Sequence, residues 1–418
     1  MARWTRPGGP GPVHTPIINA SIPSPPSPAF QLTDQTEQRR HPGNRALHAR
    51  RRLAIFSLGV ATYCLGLLLS RAPSLVESLY GSGFGPRVVR SLAVITGWSS
   101  FSVGEILVIG YVLFQIRAAW KAVVAVIRRN RSLGNALGSG LLRMARDTGV
   151  LATLFYFLWG FNYSRPPLEE TVGWQLPDSV TVEELAGMVE ELVQAGNEEY
   201  RLIHGADDAG TPTILGNGRD DTVEKLSAGW VLARRSLGFP DRPEPSGRVK
   251  TPLLRPWYEW VGVAGFYFPW TGEPNVRGGI PAVELGKILA HELAHQRGVA
   301  PEAEANFWGY LAAALAPDPT SRYSAYLFAQ RQLLALLARF DGERAMTLAR
   351  MRIPGVARDL QDSAEYWAKF RGRGTRIGRA ANDAYLRTNR VAGGVRNYGR
   401  STLLFLAYAR ERSGRIIP

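Results

Sequence analysis

The sequence predicts an α-helical membrane anchor with three spans, followed by a mainly α-helical α+β domain that contains a small sheet. Three observations support this fold class. Long apolar runs lie within the first 162 residues, helical periodicity with capping signals dominates the rest, and β-forming residues concentrate in one stretch. We therefore expect a disordered basic tail over 1–50, three transmembrane helices over 51–162 and a further domain over 163–418.

The charge distribution argues for a membrane rather than a nucleic acid as partner. The formal net charge is +15, but many of the arginines crowd around apolar runs near the N-terminus. The first 50 residues are rich in Pro, Gly, Ser and Arg, and they are too long to be the charged start of a signal peptide. The single cysteine, Cys64, excludes an intramolecular disulfide and a zinc site built of cysteines.

Three apolar runs define the predicted spans. The first, Leu53–Leu69, carries no charge and stands at the short end of what crosses a bilayer. The second extends from about Leu92 to Ile116. The third covers about Thr148–Phe161, or begins nearer Leu141 if the adjacent arginines extend to the interface.

Glu105 interrupts the second run and allows two interpretations. An acidic residue within a span can make a polar contact between helices. Alternatively, the span begins near Ser102 and Glu105 lies at the outer interface, which is the interpretation that we favour.

Basic residues alternate around the three runs and predict their orientation. Eight arginines precede the first run, three lie between the first and second, and seven basic residues lie between the second and third. They are Arg3, Arg6, Arg39, Arg40, Arg45, Arg50, Arg51 and Arg52, then Arg71, Arg87 and Arg90, then Arg117, Lys121, Arg128, Arg129, Arg131, Arg143 and Arg146. This pattern places the N-terminus and the second loop in the cytoplasm. The sequence therefore predicts a multi-pass protein of the cytoplasmic (inner) membrane, with everything after about Asn162 outside and the lipid bilayer as a partner.

Helical patterns dominate the predicted outer domain. Ser179–Tyr200 combines apolar residues at helical spacing with a capping-box start at Thr181–Glu184. Pro252–Phe268 is rich in Val, Tyr, Phe and Trp and predicts one or two short strands. The other predicted helices are Asp221–Leu237, Ala282–Arg297, Glu302–Ala316, Tyr323–Phe340 and Leu403–Glu411.

The segment HELAH, His291–His295, carries the candidate chemistry. Histidines four apart on a helix project from one face, and their nitrogens can reach one zinc ion at about 2 Å each. Glu292 follows the first histidine, where its carboxylate can take a proton from a water that the metal activates. The alternative is a surface helix that happens to carry two histidines.

A catalytic zinc ion usually takes a third protein ligand. Of the six histidines, three lie in the N-terminal tail, so only His204 remains besides the pair. We expect His204 to be an exposed loop residue and the third ligand to be a carboxylate. Gly298 permits the left-handed turn that ends the helix, and Pro301 suits the start of the next one.

Two carboxylates and an amide follow that turn. Glu302 and Asn306 lie four apart and share one helix face, so one can bind the metal while the other hydrogen-bonds a histidine ligand. Glu304 points about 200° away by the helical period, and we favour Glu302 over it as the ligand. The alternative is that both glutamates are solvated acids at a helix start.

At these residues the sequence resembles the zincin metallopeptidases whose third ligand is a glutamate on the following helix. Their ExxxD motif corresponds here to Glu302–Asn306, with asparagine in place of aspartate. The resemblance implies a zincin-like fold and zinc as the cofactor. The substitution at Asn306 leaves a neutral partner beside the site.

The whole chain resembles a bacterial domain-of-unknown-function family, number 3810, over roughly residues 50–411. Its members have three N-terminal membrane helices, and four segments carry the resemblance. They are WGFNYSRPPL (Trp159–Leu168), GFYFPWTGEPNV (Gly265–Val276), HELAHQRG…EAEANFWGYL (His291–Leu311) and NDAYLRTNRVAGGVRNYGRSTLLFLAY (Asn382–Tyr408). The resemblance implies a metallopeptidase without naming a substrate.

The aromatic stretch before the HELAH helix is a candidate substrate-binding edge. In zincins an edge strand next to the active helix pairs with extended substrate backbone, and Gly262–Phe268 is the candidate here. Tyr267 could donate to a developing oxyanion, although these aromatics suit the core or the membrane interface equally well. Glu273 and Asn275 either line the cleft or serve a turn.

The sequence therefore predicts a membrane-anchored, zinc-dependent hydrolase that cuts amide bonds of a protein or peptide. His291, His295 and Glu302 hold Zn²⁺, and Glu292 is the general base. Two alternatives stay open: a non-catalytic membrane scaffold that binds zinc, and a hydrolase of cell-wall peptide amides. Nucleic acid is not expected, because the outer domain has no basic stripe interleaved with aromatics.

Overall fold

Helices make up most of the protein, and the sheet that the described residues form has two strands. The computed structural model describes residues 42–214, 218–389 and 399–418. The predicted mainly helical character with a small sheet is confirmed. Most of the predicted N-terminal tail lies outside the described residues, but its end, from Pro42, belongs to the first helix.

The elements follow one another in this order along the chain. The first helices are α1 (Pro42–Leu69), α2 (Pro73–Val76), α3 (Gly85–Thr96), α4 (Val103–Ile127) and α5 (Leu133–Leu158), with a π-helical segment over Glu77–Phe84 and a 3-10 turn over Gly160–Ser164. The later helices are α6 (Leu168–Val172), α7 (Val182–His204), α8 (Gly218–Ser236), α9 (Arg255–Val261), α10 (Ala282–Gln296), α11 (Glu302–Ala314), α12 (Pro319–Leu337), α13 (Gly342–Arg350), α14 (Pro354–Ala368), α15 (Arg373–Thr388) and α16 (Arg400–Arg410). The antiparallel strands are β1 (Gly265–Phe268) and β2 (Glu273–Val276).

Two of the described helices are long and apolar enough to cross a membrane, Ala46–Leu69 of α1 and the whole of α4. The second predicted run, Leu92–Ile116, is not one helix. α3 ends at Thr96, and α4 begins at Val103 with the Ser102 side chain accepting from the Glu105 amide. The intervening GWSSFS segment breaks the helix because glycine and serine favour turns and caps. The candidate span therefore lies further along the chain than predicted.

α5 contains the third predicted run as far as Leu158, and the 3-10 turn over Gly160–Ser164 follows. The helix is less apolar than the candidate spans in α1 and α4, because Arg143, Arg146 and Asp147 interrupt it. Asp147 is buried, and its carboxylate accepts hydrogen bonds from Tyr111 and Gln115 of α4 at 3.0 and 2.8 Å. The same carboxylate also pairs with Arg146. The acid of α5 is therefore satisfied by its neighbours and holds α4 against α5.

α1 and α5 approach closely through two glycines. A Cβ on Gly59 would lie 2.6 Å from the Cα of Gly149, and a Cβ on Gly149 would lie 2.6 Å from the Cα of Phe56. Small residues of this kind allow helix backbones to touch, as in membrane helix pairs.

Gly149→Leu is expected to destabilise the helix pair by at least about 1–3 kcal/mol, because the new side chain has no space at the α1 backbone. The measurement is the thermal unfolding midpoint of the full-length protein in detergent. Gly138→Leu is the matched control on the same helix, since a Cβ there meets no heavy atom within 4 Å. An equal effect of both variants would show that the α1–α5 contact is not the cause.

Two buried charged residues, Glu273 and Lys250, cap the helix ends at the α3–α4 corner. The carboxylate of Glu273, in β2, accepts from the amides of Val103 and Gly104 at 3.1 and 2.7 Å. Nζ of Lys250 donates to the carbonyls of Thr96 and Ser99, at the end of α3. An anion at a helix start and a cation at a helix end both complement the helix dipole. The sheet is therefore fastened to the α3–α4 corner.

Glu105 completes this junction. It lies in the first turn of α4, and its carboxylate accepts from the backbone amides of Leu253 and Leu254, just before α9. The structure agrees with the interpretation in which the helix starts near Ser102. The alternative of a polar contact between spans is wrong, because the partners of Glu105 belong to the later domain.

The predicted helices of the later domain are all present, with ends within four residues of the prediction. Their buried faces form one core, in which α10 and α11 pack against α8, α12 and α16. The prediction of strands across Pro252–Phe268 is wrong in its first half, where α9 forms instead. Pro256 lies in the first turn of α9, and Gly262 ends it with a φ of +74°. β1 follows at once.

Candidate metal centre

The candidate ligands lie on α10, on α11 and beside the turn between them. His291 and His295 share one face of α10, and their ring centroids are 4.7 Å apart. Gly298 has a φ of +86°, the left-handed conformation that reverses the chain. α11 then begins at Glu302 with Pro301 as its N-cap, so the turn brings the carboxylate back to the histidines.

The three side chains converge on one point. Nε2 of His291 lies 3.1 Å from Nε2 of His295 and 3.3 Å from Oε2 of Glu302. Ligand atoms of all three lie within 4.8 Å of one another, and no other His, Cys, Asp or Glu side chains in the described ranges form such a group. A tetrahedral zinc ion with bonds of about 2.0–2.1 Å holds its ligand atoms about 3.4 Å apart. The donor set therefore fits zinc.

The protonation states also suit a metal. Burial, reinforced by the charge of Lys287, lowers the pKa of His291 to about 4, so the imidazole is neutral at neutral pH. Burial by itself would raise the pKa of Glu302, but the hydrogen bond with His291 and the nearby His295 lower it to about 2. A neutral imidazole and an ionised carboxylate are the forms in which these groups bind zinc.

The turn after α10 orients His295. Its Nδ1 lies 2.7 Å from the carbonyl oxygen of Val299. A hydrogen bond donated by Nδ1 leaves the lone pair on Nε2, the nitrogen that faces Glu302 and His291. The same turn therefore orients His295 and brings Glu302 close to it.

Glu292 lies beside the ligands. It is 4% exposed, and its Oε2 has no hydrogen-bond partner among the described residues. Burial and the neighbouring charge of Glu302 raise its pKa well above the ordinary range. β1 confines this side chain, because a Cβ on Gly265 would lie 2.7 Å from Oε1 of Glu292. A confined, unpartnered carboxyl group of this kind can exchange a proton with a bound molecule.

The two other polar candidates lie outside the ligand cluster. Glu304 accepts from the amide of Leu168 at 3.3 Å, and burial raises its pKa to about 7. Asn306 accepts from Nζ of Lys287 at 2.6 Å, where the sequence predicted a hydrogen bond to a histidine. The polar partner of Asn306 is therefore a lysine one turn before His291 on α10.

A cavity of about 790 Å³ opens onto the ligands, Glu292 and Asn306. The stretch Val261–Trp270, which contains β1, lines it. Within the described part of the chain, β1 pairs with β2 along one edge and with no strand along the other. The hydroxyl of Tyr267 is buried in the same cavity without a described partner. The cavity therefore offers a free strand edge and a free hydroxyl to a ligand.

Three residues depart from their predicted positions. Glu273 and Asn275 do not line the cavity: Glu273 caps α4, and Asn275 donates to the Glu273 carbonyl at 2.9 Å. His204 is not an exposed loop residue, because α7 continues to its position. Its Nε2 lies 2.9 Å from the hydroxyl of Thr213, so it is bound within the domain and not to the cluster.

The WGFNYSRPPL segment holds the turn after α10 against α5. The indole Nε1 of Trp159 donates to the carbonyl of His295 at 3.1 Å, and Arg165 donates to the carbonyl of Gly298 at 3.0 Å. At the other end of the segment, the carboxylate of Glu304 accepts a hydrogen bond from the backbone amide of Leu168. The segment is therefore a brace for the metal-binding turn.

Sequence reasoning did not place several polar residues in the cavity, and three of them lie close to the candidate ligands or to each other. Lys287, Tyr163 and Tyr385 line it, and the two tyrosine hydroxyls are 3.2 Å apart. Lys287 stands one turn before His291, so its place on the histidine face could have been found by the same spacing argument. Tyr163 and Tyr385 are more than two hundred positions apart, and no local pattern signals their contact.

Comparisons with known proteins identify the family but not an activity. The model of a family described as a protein of unknown function (DUF3810) matches residues 80–406, which is more than half of the chain. No curated protein and no solved structure matches. Part of the NDAYLRTNRVAGGVRNYGRSTLLFLAY segment, residues 390–398, lies outside the described residues. The matched range nevertheless contains the HELAH helix, its brace and the sheet, and the chain belongs to the DUF3810 family.

Proposed function

We propose that this protein is a membrane-anchored, zinc-dependent peptidase with a zincin-like catalytic domain outside the cytoplasmic membrane. His291, His295 and Glu302 hold the zinc ion, and Glu292 is the general base. The observation that carries the proposal is the convergence of the three ligand groups within 4.8 Å, beside a buried, unpartnered carboxyl in a cavity of about 790 Å³.

Each group around the cavity has a separate role in amide hydrolysis. When bound, zinc supplies Lewis acidity, which polarises a carbonyl and lowers the pKa of a water. Glu292 takes the proton from the attacking water and passes it to the nitrogen of the leaving amine. β1 pairs with the extended substrate backbone, and the Tyr267 hydroxyl donates to the carbonyl oxygen as negative charge develops there.

Connectivity supports α5 as a third span. The start of α4 is fastened to Glu273, Leu253 and Leu254 of the later domain. If α4 crosses the bilayer, its far end lies on the opposite side from that domain. The chain must then cross again before residue 160, and α5 is the helix that joins the two sides. The acidic charge of α5 is tolerated because Asp147 is satisfied by α4 and by Arg146.

α1 fits the same arrangement. Near its end, the carbonyl of Gly66 accepts from the Ser164 hydroxyl, beside the domain. Near its start, Arg52 donates to the carbonyl of Ser139, in the first half of α5. The arginine-rich start of α1 and the arginines after α4 therefore share one side, which the positive-inside rule assigns to the cytoplasm.

The proposal is tested on the purified full-length protein by measuring its zinc content and its hydrolysis of peptide amides. Absence of stoichiometric zinc would contradict the metal site. Bound zinc without hydrolysis, unchanged by Glu292→Gln, would favour a non-catalytic scaffold. Release of fragments from purified peptidoglycan, with no cleavage of peptides, would favour the cell-wall substrate.

Gly265→Ala is expected to lower kcat by about tenfold or more while zinc binding persists. The added methyl would lie 2.7 Å from Oε1 of Glu292 and would displace the base, and small misplacements of catalytic groups are costly. Gly187→Ala is the matched control, because a Cβ there meets no heavy atom within 4 Å. A wild-type kcat for Gly265→Ala would contradict the role given to Glu292 at this position.

A further inference from the structure

A chain of aromatic contacts joins the candidate metal centre to the end of α5. The ring of Trp159, the residue that ends α5, lies 6.1 Å from the ring of His295. Phe155, one turn earlier, lies 6.1 Å from Trp159 and 5.8 Å from Trp270. Nε1 of Trp270 donates to the carbonyl of Leu151 at 3.3 Å. Because Phe155, Trp159 and Trp270 line the cavity, the last turns of α5 form part of its wall.

α9 carries a second apolar surface next to the cavity. Trp257 and Trp260 are 55% and 45% exposed. The amides of Leu253 and Leu254, just before α9, donate to Glu105 in the first turn of the candidate span α4. The helix therefore lies where α4 leaves the bilayer, and tryptophan is the side chain preferred at that depth. The exposed rings of α9 would rest in the lipid headgroup region.

The cavity is thus bordered by two elements at the membrane surface, the end of α5 and the passage from α9 through Val261 and Gly262 into β1. We propose that the substrate is a polypeptide anchored in the same membrane and cut in the extended segment that leaves the bilayer on the outer side. This inference rests on the proposed peptidase function and topology, and it names the substrate class of that site.

The geometry favours an anchored chain because of where β1 begins. The last turns of α5 and the free edge of β1 line the same cavity, so a polypeptide that leaves the bilayer beside α5 would reach that edge in a short extended segment. The reaction is hydrolysis: the water oxygen bonds to the carbonyl carbon, the C–N bond breaks, and Glu292 transfers the proton to the leaving nitrogen. No further reactant is required.

The first experiment uses full-length, zinc-loaded protein in phosphatidylcholine and phosphatidylglycerol vesicles with three peptide pools of the same randomised segment. One pool is fused to a Leu/Ala transmembrane anchor, the second has no anchor, and the third has a Gly/Ser spacer of about 20 residues after the anchor, an r.m.s. length of about 25 Å. Mass spectrometry gives the rates and the cut positions. Glu292→Gln in the same vesicles gives the background.

The anchored pool is expected to be cut at least about tenfold faster than the soluble pool, with cuts clustered next to the anchor. The spacer pool is expected to lose that advantage in its randomised segment. The spacer pool distinguishes this inference from a general effect of holding enzyme and substrate in one bilayer. Such an effect would raise the cleavage rates of both anchored pools equally. Equal rates for the anchored and soluble pools, or for the anchored and spacer pools, would overturn the substrate class and leave the peptidase function standing.

A second measurement does not depend on activity. A nitroxide label is attached to Trp257→Cys in a Cys64→Ser background. Its depth is measured from its collision rates with oxygen and with a water-soluble nickel chelate, and the label is expected to lie at headgroup depth. Met346→Cys is the control. Met346 lies on α13 and is 56% exposed, so a label there is expected to be in water. A water-exposed label at position 257 would overturn the placement of the cavity at the membrane. If the label at position 257 lies at headgroup depth but no peptide pool is cleaved, the result would instead contradict the proposed peptidase function, and the substrate inference with it.

Discussion

Alanine in place of His291 is expected to remove zinc from the purified protein. The side chain supplies the nitrogen that lies between the other two ligands, 3.1 Å from that of His295 and 3.3 Å from the nearer carboxylate oxygen of Glu302. Its loss leaves two ligands, whereas a stable zinc site in a protein uses at least three. We expect the zinc affinity to fall by more than about 100-fold, beyond the cost of losing a residue that only supports a ligand. The measurement is metal content after dialysis, with titration against a competing chelator.

His204→Ala is the matched control for that loss. It removes the other histidine of the later domain, whose Nε2 is already engaged with Thr213. Its zinc content is expected to equal that of the wild type. If His291→Ala retained stoichiometric zinc, or if His204→Ala lost it, the assignment of the metal centre would be wrong.

Glutamine in place of Glu292 is expected to abolish hydrolysis without removing zinc. The amide matches the carboxylate in shape, so the buried site keeps its packing, but it cannot accept a proton from water. Loss of a general base lowers kcat by about 10²–10⁴-fold. Zinc should remain because Glu292 is not one of the residues whose ligand atoms cluster. The measurement is kcat on a peptide that the wild type cuts, with zinc content determined on the same sample.

Glu304→Gln distinguishes this effect from a general loss of buried charge. Glu304 is also a buried glutamate near the turn, but its Oε1 is engaged with the Leu168 amide, which glutamine can still satisfy. We expect kcat close to that of the wild type. Loss of activity in Glu304→Gln with none in Glu292→Gln would reverse the roles given to the two acids.

The geometry of the candidate metal centre could be anticipated from the sequence because it is local. His291, His295 and Glu302 lie within twelve positions, on two helices joined by a turn whose glycine marks the reversal. Helical periodicity fixes which of these side chains share a face, and Gly298 fixes where the chain turns back. The same local logic predicted six helices of the later domain, since their apolar spacing and capping residues are contiguous. They are α7, α8, α10, α11, α12 and α16.

The remaining features depend on contacts between distant residues. The residues next to Glu273 in the sequence indicate an acidic residue in a loop. Only the three-dimensional contact with α4 shows that it caps that helix. Tyr385 reaches the cavity on α15, an arginine-rich helix with few large apolar residues. The break between α3 and α4 was hidden because a hydropathy window averages over Gly97 and the serines that follow. Local patterns therefore located the candidate ligands and the part of the cavity wall formed by Gly262–Phe268. They did not locate the part formed by α5 and α15, or the attachment of the sheet to α4.

The contacts that Glu273 and Lys250 make with the α3–α4 corner have a consequence for the independence of the later domain. A fragment that begins after α4 would carry Lys250 and Glu273, both buried in the whole chain, without the backbone groups of α3 and α4 that satisfy them. Each unsatisfied charge would cost at least about 1–3 kcal/mol, a large share of the stability of an ordinary domain. The later domain is therefore expected to depend on the α3–α4 corner for its stability.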